Sequence, residues 1–230
     1  MAGGSRVRVE RGRDGRSLRI DGTFASFYDP ARVTTGSVWD ALVAPLLWLP
    51  PPKRRSVLIL GLGGGSAARL VRSLAPRARI VGVERSAEVI RAARRWFDLD
   101  ALGVEVVRED AQRFLARSRR QFDIVIEDVF VGSARDVHKP DWLLEGGLLA
   151  ASRHLRRGGL LVANTLDETA AVAGVMRSLA PALLRIDVDG FDNRILTAGP
   201  RGLNGRALRS AVGAHRIMSA TLPRLSFRRI

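Results

Sequence analysis

The feature that most constrains this chain is the passage Ser56–Leu60 followed at once by Gly61-Leu62-Gly63-Gly64-Gly65. SVLIL is a continuous apolar run that stops at glycines, the pattern of a strand buried on both faces of a parallel sheet. Helical spacing over Ser66–Leu74 follows, and Pro76 closes it. The unit then recurs. Arg79–Glu84 (RIVGVE) reads as a second strand, and Ser86 as the N-cap of a helix with Val89, Ile90, Ala93 and Phe97 on its apolar face. Residues 104–107 read as a third strand, Ala111–Arg117 as a short helix, 122–126 as a fourth strand and 160–163 as a fifth. Gly158-Gly159, before the fifth, reads as a helix stop.

Strands separated by helices of this length predict an α/β fold with a doubly wound, Rossmann-like sheet. The last part differs. Runs at 183–188 and 194–198 are separated only by Asp189-Gly190-Phe191-Asp192-Asn193, a link that permits only antiparallel pairing. At the other end, 7–9 and 18–20 flank Asp14-Gly15, a hairpin signal. A helical stretch over 37–49 and the linker Pro50-Pro51-Pro52 lead into the first parallel strand. The expected organisation is a small N-terminal β region over 1–52 and a ligand-binding domain over 53–230.

Composition narrows the function classes. The chain has 230 residues and is 46% hydrophobic, enough for a real core. No apolar run reaches the roughly 20 residues of a membrane span, and the basic N-terminus lacks the apolar stretch of a signal peptide. A cytoplasmic protein is expected. There is no cysteine, and His138, His154 and His215 are scattered, so no metal site is expected. Net charge is +15, with Lys53 and Lys139 as the only lysines among 38 basic residues. The arginines are spread over helix faces and loops with few aromatics between them, so nucleic acid is admitted as a partner but not favoured.

The glycine loop lets backbone approach a ligand and aims helix N-terminal amides at it. It lacks the GK[ST] of a phosphate-binding P-loop, and Ser66 breaks the dinucleotide fingerprint. Acids then fall at the carboxyl ends of successive strands: Glu84, Asp110 and Glu127-Asp128. Ligands of open α/β sheets bind there. Glu84 suits both hydroxyls of a ribose, Asp110 an exocyclic adenine amine with Ala111 and Ile126 against the ring, and Asp128 the reacting end. Singly, each acid reads equally as a helix cap or a solvated loop residue. In order behind a glycine loop, they point to an adenosyl ligand held by Gly61, Gly63, Gly64, Gly65, Glu84, Arg85, Asp110, Ala111 and Glu127.

The stretch SVLILGLGGGSAARL…RIVGVERSAEVIRAARRWF…VEVVREDAQRFL…FDIVIEDVF…LRRGGLLVAN resembles S-adenosylmethionine-dependent methyltransferases and, within them, the spermidine synthase (polyamine aminopropyltransferase) family. The resemblance covers about residues 17 to 200. It implies a seven-stranded sheet with an antiparallel last strand, S-adenosylmethionine or its decarboxylated form as cofactor, a small-molecule acceptor and a homodimer. It makes Asp128 the catalytic acid. On the substrate side the chain departs from that pattern. Ser66 stands where the family's loop carries an acid, Ala25 near its glutamine, and Thr35-Gly36-Ser37 in the region of its Tyr-His-Glu cluster. The second acid of its fourth-strand loop falls on Val131, leaving Asp136 or Asp141 to replace it.

Tyr28 with Asp29, His138 and Asn164 are the remaining substrate-side candidates, Tyr28-Asp29 reading also as a turn before Pro30 and His138 as an exposed loop residue. Thr165 lies on the same edge as Asn164, and the four tryptophans read mainly as packing. A polyamine arrives protonated, with a pKa near 10, and needs carboxylates to hold it. Their loss favours methyl transfer to a small or anionic acceptor. Aminopropyl transfer to a polyamine is the alternative, and a non-catalytic adenosyl- or nucleic-acid-binding protein the third reading.

Overall fold

A computed structural model describes residues 6–230; the first five residues of the basic N-terminus lie outside it. The chain opens with β1 (Val7–Gly12), β2 (Gly15–Ile20) and β3 (Thr23–Tyr28), an antiparallel three-stranded sheet in that order. The expected hairpin is present, and its third strand was not foreseen. Asp21 and Gly22 both take positive φ, 50° and 83°, in the two-residue turn before β3, the turn geometry that suits the right-handed twist of paired strands.

The larger sheet comprises β4 (Ser56–Leu60), β5 (Arg79–Glu84), β6 (Glu105–Arg108), β7 (Phe122–Glu127), β8 (Leu155–Thr165), β9 (Ala182–Val188), β10 (Arg194–Gly199) and β11 (Leu225–Arg229). Their order is β11-β9-β10-β8-β7-β4-β5-β6. The central strands pair in parallel, and β10 runs antiparallel between β8 and β9. The doubly wound sheet with its antiparallel strand is therefore as read from the sequence, with β11 adding an eighth strand at the edge. One local reading is corrected. β8 begins at Leu155, and Gly158, at φ +80°, sits inside it. The register with β7 shifts at this place, from Phe122 opposite Leu155 to Ile124 opposite Leu160. The glycines serve a bulge, not a helix stop.

Alternation along β4 divides the core. Val57 and Ile59 face one layer, with α1 (Val38–Val43), α2 (Ser66–Leu74) and, late in the chain, Leu208 and Val212. Leu58 and Leu60 face the other, with α4 (Ala111–Arg117), α5 (Leu148–Arg153) and α6 (Thr169–Leu179). Between them in sequence, α3 (Ala87–Trp96) is capped by the Ser86 hydroxyl, which accepts from the Val89 amide at 3.2 Å. Val89 and Phe97 pack with Leu18 of the small sheet. The last helix, α7 (Gly205–Ala214), covers the end of the sheet beside β11. The expected helix over 37–49 is α1 followed by a tighter turn, and its residues belong to the same cluster as Val57 and Ile59.

The small sheet is tied to the large one through the glycine loop. The Ser66 hydroxyl accepts from the Phe27 amide at 2.9 Å and donates to its carbonyl at 2.8 Å. The Gly64 amide donates to the Ser26 hydroxyl at 2.6 Å. A Cβ at Gly63 or Gly64 would press on Ser26 at 2.8 Å, so these glycines admit β3 as much as any ligand. Ser66→Ala strands the amide and carbonyl of Phe27 on an edge strand. The expected cost is about 1–3 kcal/mol, read as a fall of roughly 3–10 °C in the thermal midpoint; an unchanged midpoint would show that the clasp contributes nothing.

Candidate functional site

The chain crosses from β6 on one side of β4 to β7 on the other, so the crevice of this sheet opens between the carboxyl ends of β4 and β7. The two ends are fastened there: the Asp128 amide donates to the Leu60 carbonyl at 2.8 Å. Gly61 follows Leu60 with φ +83°, and a Cβ on it would collide with the Asp128 carbonyl. Above this seam lies a cavity of about 460 Å³, inside the ~300–1,000 Å³ range of small-molecule sites. It is roofed by the small sheet through Ile20, Thr23, Phe24 and Ala25.

Gly61, Gly63, Glu84, Arg85, Asp110, Ala111, Asp128 and Asn164 line one cavity, so most of the sequence-predicted residues converge. Glu84, ending β5, accepts from the Gly63 amide at 3.1 Å and the Ser86 amide at 2.9 Å. Burial pushes its carboxyl up, and those two amides pull it partly back. Asp110 caps α4: its Oδ1 accepts from the Gln112 amide at 2.9 Å and the Arg113 amide at 3.2 Å. Cap and cavity wall are thus the same residue, with Oδ2 left for a ligand. Val83 lines the wall beside Ala111, whereas Ile126 lies fully in the core.

Asp128 is held from two sides. Trp39 Nε1 of α1 donates to Oδ2 at 3.1 Å, and Asn164 Nδ2 donates to Oδ1 at 2.8 Å. Asn193 Nδ2 in turn donates to Asn164 Oδ1 at 2.9 Å. Burial raises the Asp128 carboxyl above its ordinary range, opposed by the Asn164 hydrogen bond, the Lys139 charge and Trp39. The site therefore holds an oriented carboxylate with an increased appetite for a proton.

Other expected residues lie elsewhere. Glu127, expected toward the ligand, is fully buried under the cavity floor. Its two oxygens each sit 2.9 Å from Lys139 Nζ, and Oε1 accepts from the Val129 amide at 2.7 Å. The physical reason is strand alternation: consecutive residues face opposite ways. Gly64 and Gly65 are spent on Ser26 and on the N-cap of α2. Tyr28 packs against Arg69 and Phe97, and Asp29 forms the turn, accepting from the Ala31 amide at 2.8 Å and pairing with Arg32 at 2.9 Å. His138 folds onto the Asp136 carbonyl at 3.0 Å, outside the cavity lining. Thr165 bonds Thr169 and the Arg194 carbonyl. Neither Asp136 nor Asp141 reaches the cavity; the acid that does is Asp192, in the β9–β10 link.

Sequence reasoning also missed Asn193, and Trp39 it read chiefly as packing. Five aromatics line the cavity (Phe24, Trp39, Phe130, Trp142 and Phe191), and Phe24 meets Trp39 edge-on at 5.1 Å. Among the described residues that line it, Glu84, Glu109, Asp110, Asp128 and Asp192 are opposed by Arg85 alone. Among the described residues no cluster of metal-type ligands occurs, and no helix is long and apolar enough to cross a membrane.

Comparison with known proteins bears on the fold that carries this cavity. Residues 57–159 match the family model for a methyltransferase domain. A probable polyamine aminopropyl transferase of Bifidobacterium longum is 32% identical over 132 residues, 56% of this chain. The chain spans only 28% to 44% of the length of that protein and of three further polyamine aminopropyltransferases. A probable spermidine synthase from Corynebacterium glutamicum superposes with a TM-score of 0.76 over 98% of this chain and 88% of that one, at 20% identity. A spermidine synthase in complex with the transition state analogue AdoDATO gives 0.67 over 95% and 80%, at 17% identity. At such identities the structures speak to the fold, which is that of the class I methyltransferases and spermidine synthases.

Lys139 is the base of this site's scaffold: its ammonium spends its donors on both Glu127 oxygens and on the Val129 carbonyl, 2.9 Å away. Lys139→Met leaves a buried carboxylate unpaired, at a cost of about 3–5 kcal/mol. The thermal midpoint at neutral pH should fall by roughly 6–20 °C. Without its partner Glu127 titrates above its unfolded value, so the folded state holds a proton that the unfolded state releases. The deficit should therefore shrink as pH falls toward the ordinary glutamate range, and Glu127→Gln in the same chain should restore much of it. A pH-independent deficit would refute the pairing.

Proposed function

We propose that this protein is a spermidine-synthase-like, adenosyl-dependent transferase that moves an aminopropyl group from decarboxylated S-adenosylmethionine to an amine. The observation that carries the reading is the sign of the cavity. In a chain of net charge +15, five of the six charged side chains lining the cavity are acids. A decarboxylated cofactor brings a sulfonium and an ammonium, and the acceptor brings another ammonium, so every charge to be bound is positive. A carboxylated cofactor would bring an anion into the same acidic wall, where Arg85 at the adenosyl side is the lone cation. This reverses the order of the readings drawn from the sequence, in which lost acids favoured methyl transfer. Asp192 supplies at the cavity rim an acid that the spacing after β7 did not offer. The aminopropyltransferase relatives support the same choice.

The residues present suit the cofactor. Glu84 would take the ribose hydroxyls, exchanging its hold on the loop amides for them, and Asp110 the adenine amine, with Val83 and Ala111 as apolar walls. When bound, the sulfonium supplies an electrophilic carbon next to a good leaving group. Asp128 does what the acceptor requires: its carboxylate, raised in basicity by burial, accepts the ammonium proton and frees the nitrogen lone pair. Trp39 and Asn164 hold its oxygens so that no reorientation is needed at that moment. The aromatic walls offer ring faces to the acceptor's cation.

Thermal unfolding separates the two cofactors. At a hundredfold excess over its dissociation constant a ligand stabilises by about 2.7 kcal/mol, a shift on the order of 5–10 °C. Decarboxylated S-adenosylmethionine should produce the larger shift at equal concentration; a preference for the carboxylated form would restore methyl transfer. Glu84→Ala removes charge-assisted hydrogen bonds of roughly 1.5–3 kcal/mol each. Calorimetry should show at least a tenfold loss of affinity with the fold intact, and equal affinity would displace the assigned site.

A further inference from the structure

Outside the cavity, arginines and aromatic rings alternate across the small sheet and the end of α3. The Arg11 and Arg95 guanidiniums lie 4.8 Å from the centroid of the Trp96 ring. Arg16 lies 6.0 Å from both Trp96 and Tyr28, and Arg69 4.1 Å from Tyr28. Arg16 also donates to the Trp96 carbonyl at 2.7 Å, which fixes it at the helix end. Arg11 and Arg95 are exposed, and both rings are half-buried. None of these side chains lines the cavity.

The charge is concentrated and unneutralised. Arg11 stands directly opposite Arg16 in the β1–β2 register, an arrangement that costs stability. Neighbouring arginines on the same elements are answered, Arg19 by Glu10 at 2.7 Å and Arg94 by Asp100 at 3.1 Å. Among the described residues no carboxylate comes within ion-pair distance of Arg11, Arg16, Arg69 or Arg95, and Asp98 acts on Arg69 only from farther away. Arg16 and Arg69 spend part of their N–H edges on the Trp96 and Phe97 carbonyls. Arg11 and Arg95 make no side-chain hydrogen bond among the described residues and can offer theirs to a phosphate, while the outer face of a guanidinium laid over a ring can accept an unstacked base.

We propose that this strip is a binding surface for single-stranded nucleic acid, with the arginine edges on phosphates and the interleaved planes against bases. A duplex hides the base faces that the ring-backed guanidinium planes would meet. A carboxylate polymer has no planes to stack.

The test is fluorescence anisotropy with a dye-labelled 20-nucleotide oligouridine, titrated between 50 and 200 mM salt. Affinity should fall linearly on logarithmic axes, with a slope near −0.7 for each phosphate contact. Arg11→Gln with Arg95→Gln should flatten that slope by about 1.4 and weaken binding at 50 mM salt by about tenfold or more. Arg206→Gln with Arg209→Gln, exposed arginines on α7 far from the strip in sequence, should leave affinity within about twofold. The proposal is overturned if the oligonucleotide does not bind at 50 mM salt, if a duplex of equal length binds as tightly, if polyglutamate displaces it at equal charge, or if the α7 pair weakens it as much as the strip pair. Should the strip pair disturb the circular dichroism, Arg95→Gln alone carries the comparison, and the single-strand preference of the unaltered protein decides independently.

Discussion

The clasp between the glycine loop and β3 is the contact on which the site depends. Ser66 holds both backbone groups of Phe27, and Gly64 holds Ser26. The other supports of the β1 to β3 sheet include side-chain packing, Phe24 on Trp39, Tyr28 on Arg69 and Leu18 on α3, with one backbone hydrogen bond from Ala134 to Asp21, so the clasp is what sets how Phe24, Ala25, Thr23 and Ile20 roof the cavity. The six residues Gly61–Ser66 that lead into α2 therefore serve two surfaces. Gly61 and Gly63 turn toward the cavity, while Gly64 and Ser66 turn toward the strand. An acid at position 66 would meet the Phe27 carbonyl as a second acceptor, which explains physically why a hydroxyl, able to donate and accept at once, stands there.

A second constraint is the buried charge at the carboxyl end of β7. Glu127 and Asp128 are neighbours with opposite fates. Glu127 turns inward to Lys139, and Lys139 lies 3.8 Å over the Phe130 ring. This pins the start of the connection that lines the cavity with Val131, Gly132 and Val137. Asp128 turns outward to tryptophan and asparagine donors. Both carboxyls are pushed up by burial and both feel the Lys139 charge, yet only Glu127 is ion-paired with it. An ion pair fixes scaffold, and a neutral donor set leaves basicity for chemistry.

Much of this was legible in the sequence because it is local. Ser56–Leu60, Ser66–Leu74, Arg79–Glu84 and Ala111–Arg117 coincide with their expected spans, since apolar runs, caps and glycines mark their own boundaries. The acids at strand ends followed from topology. What stayed hidden depends on distant partners. Trp39 and Asp128 are 89 residues apart, and Asn164 lies 36 from Asp128 and 29 from Asn193. No periodicity announces such pairs. β3 and β11 are short strands at sheet edges whose polar and apolar residues mix, and the strip of arginines and aromatic rings is assembled from five elements, β1, β2, β3, α2 and α3. For Glu127 the sequence was legible only in part: counting by twos puts it on the face of Val125, but β7 is buried on both faces, and its partner Lys139 is twelve residues away.

The way the cavity is divided has a consequence for how such a protein changes over time. On the proposed reading, its adenosyl half is made of strand ends and glycine backbone, which cannot alter without unseating the sheet. Its acceptor half is made of the entrance to α1, the connection after β7 and the link between β9 and β10, contributing Trp39, Phe130, Trp142, Phe191 and Asp192. Connections tolerate substitution far better than the elements they join. If the proposed function holds, the acceptor pocket can drift in size and charge while the adenosyl side stays fixed, and a lineage can explore new acceptors without first giving up its fold.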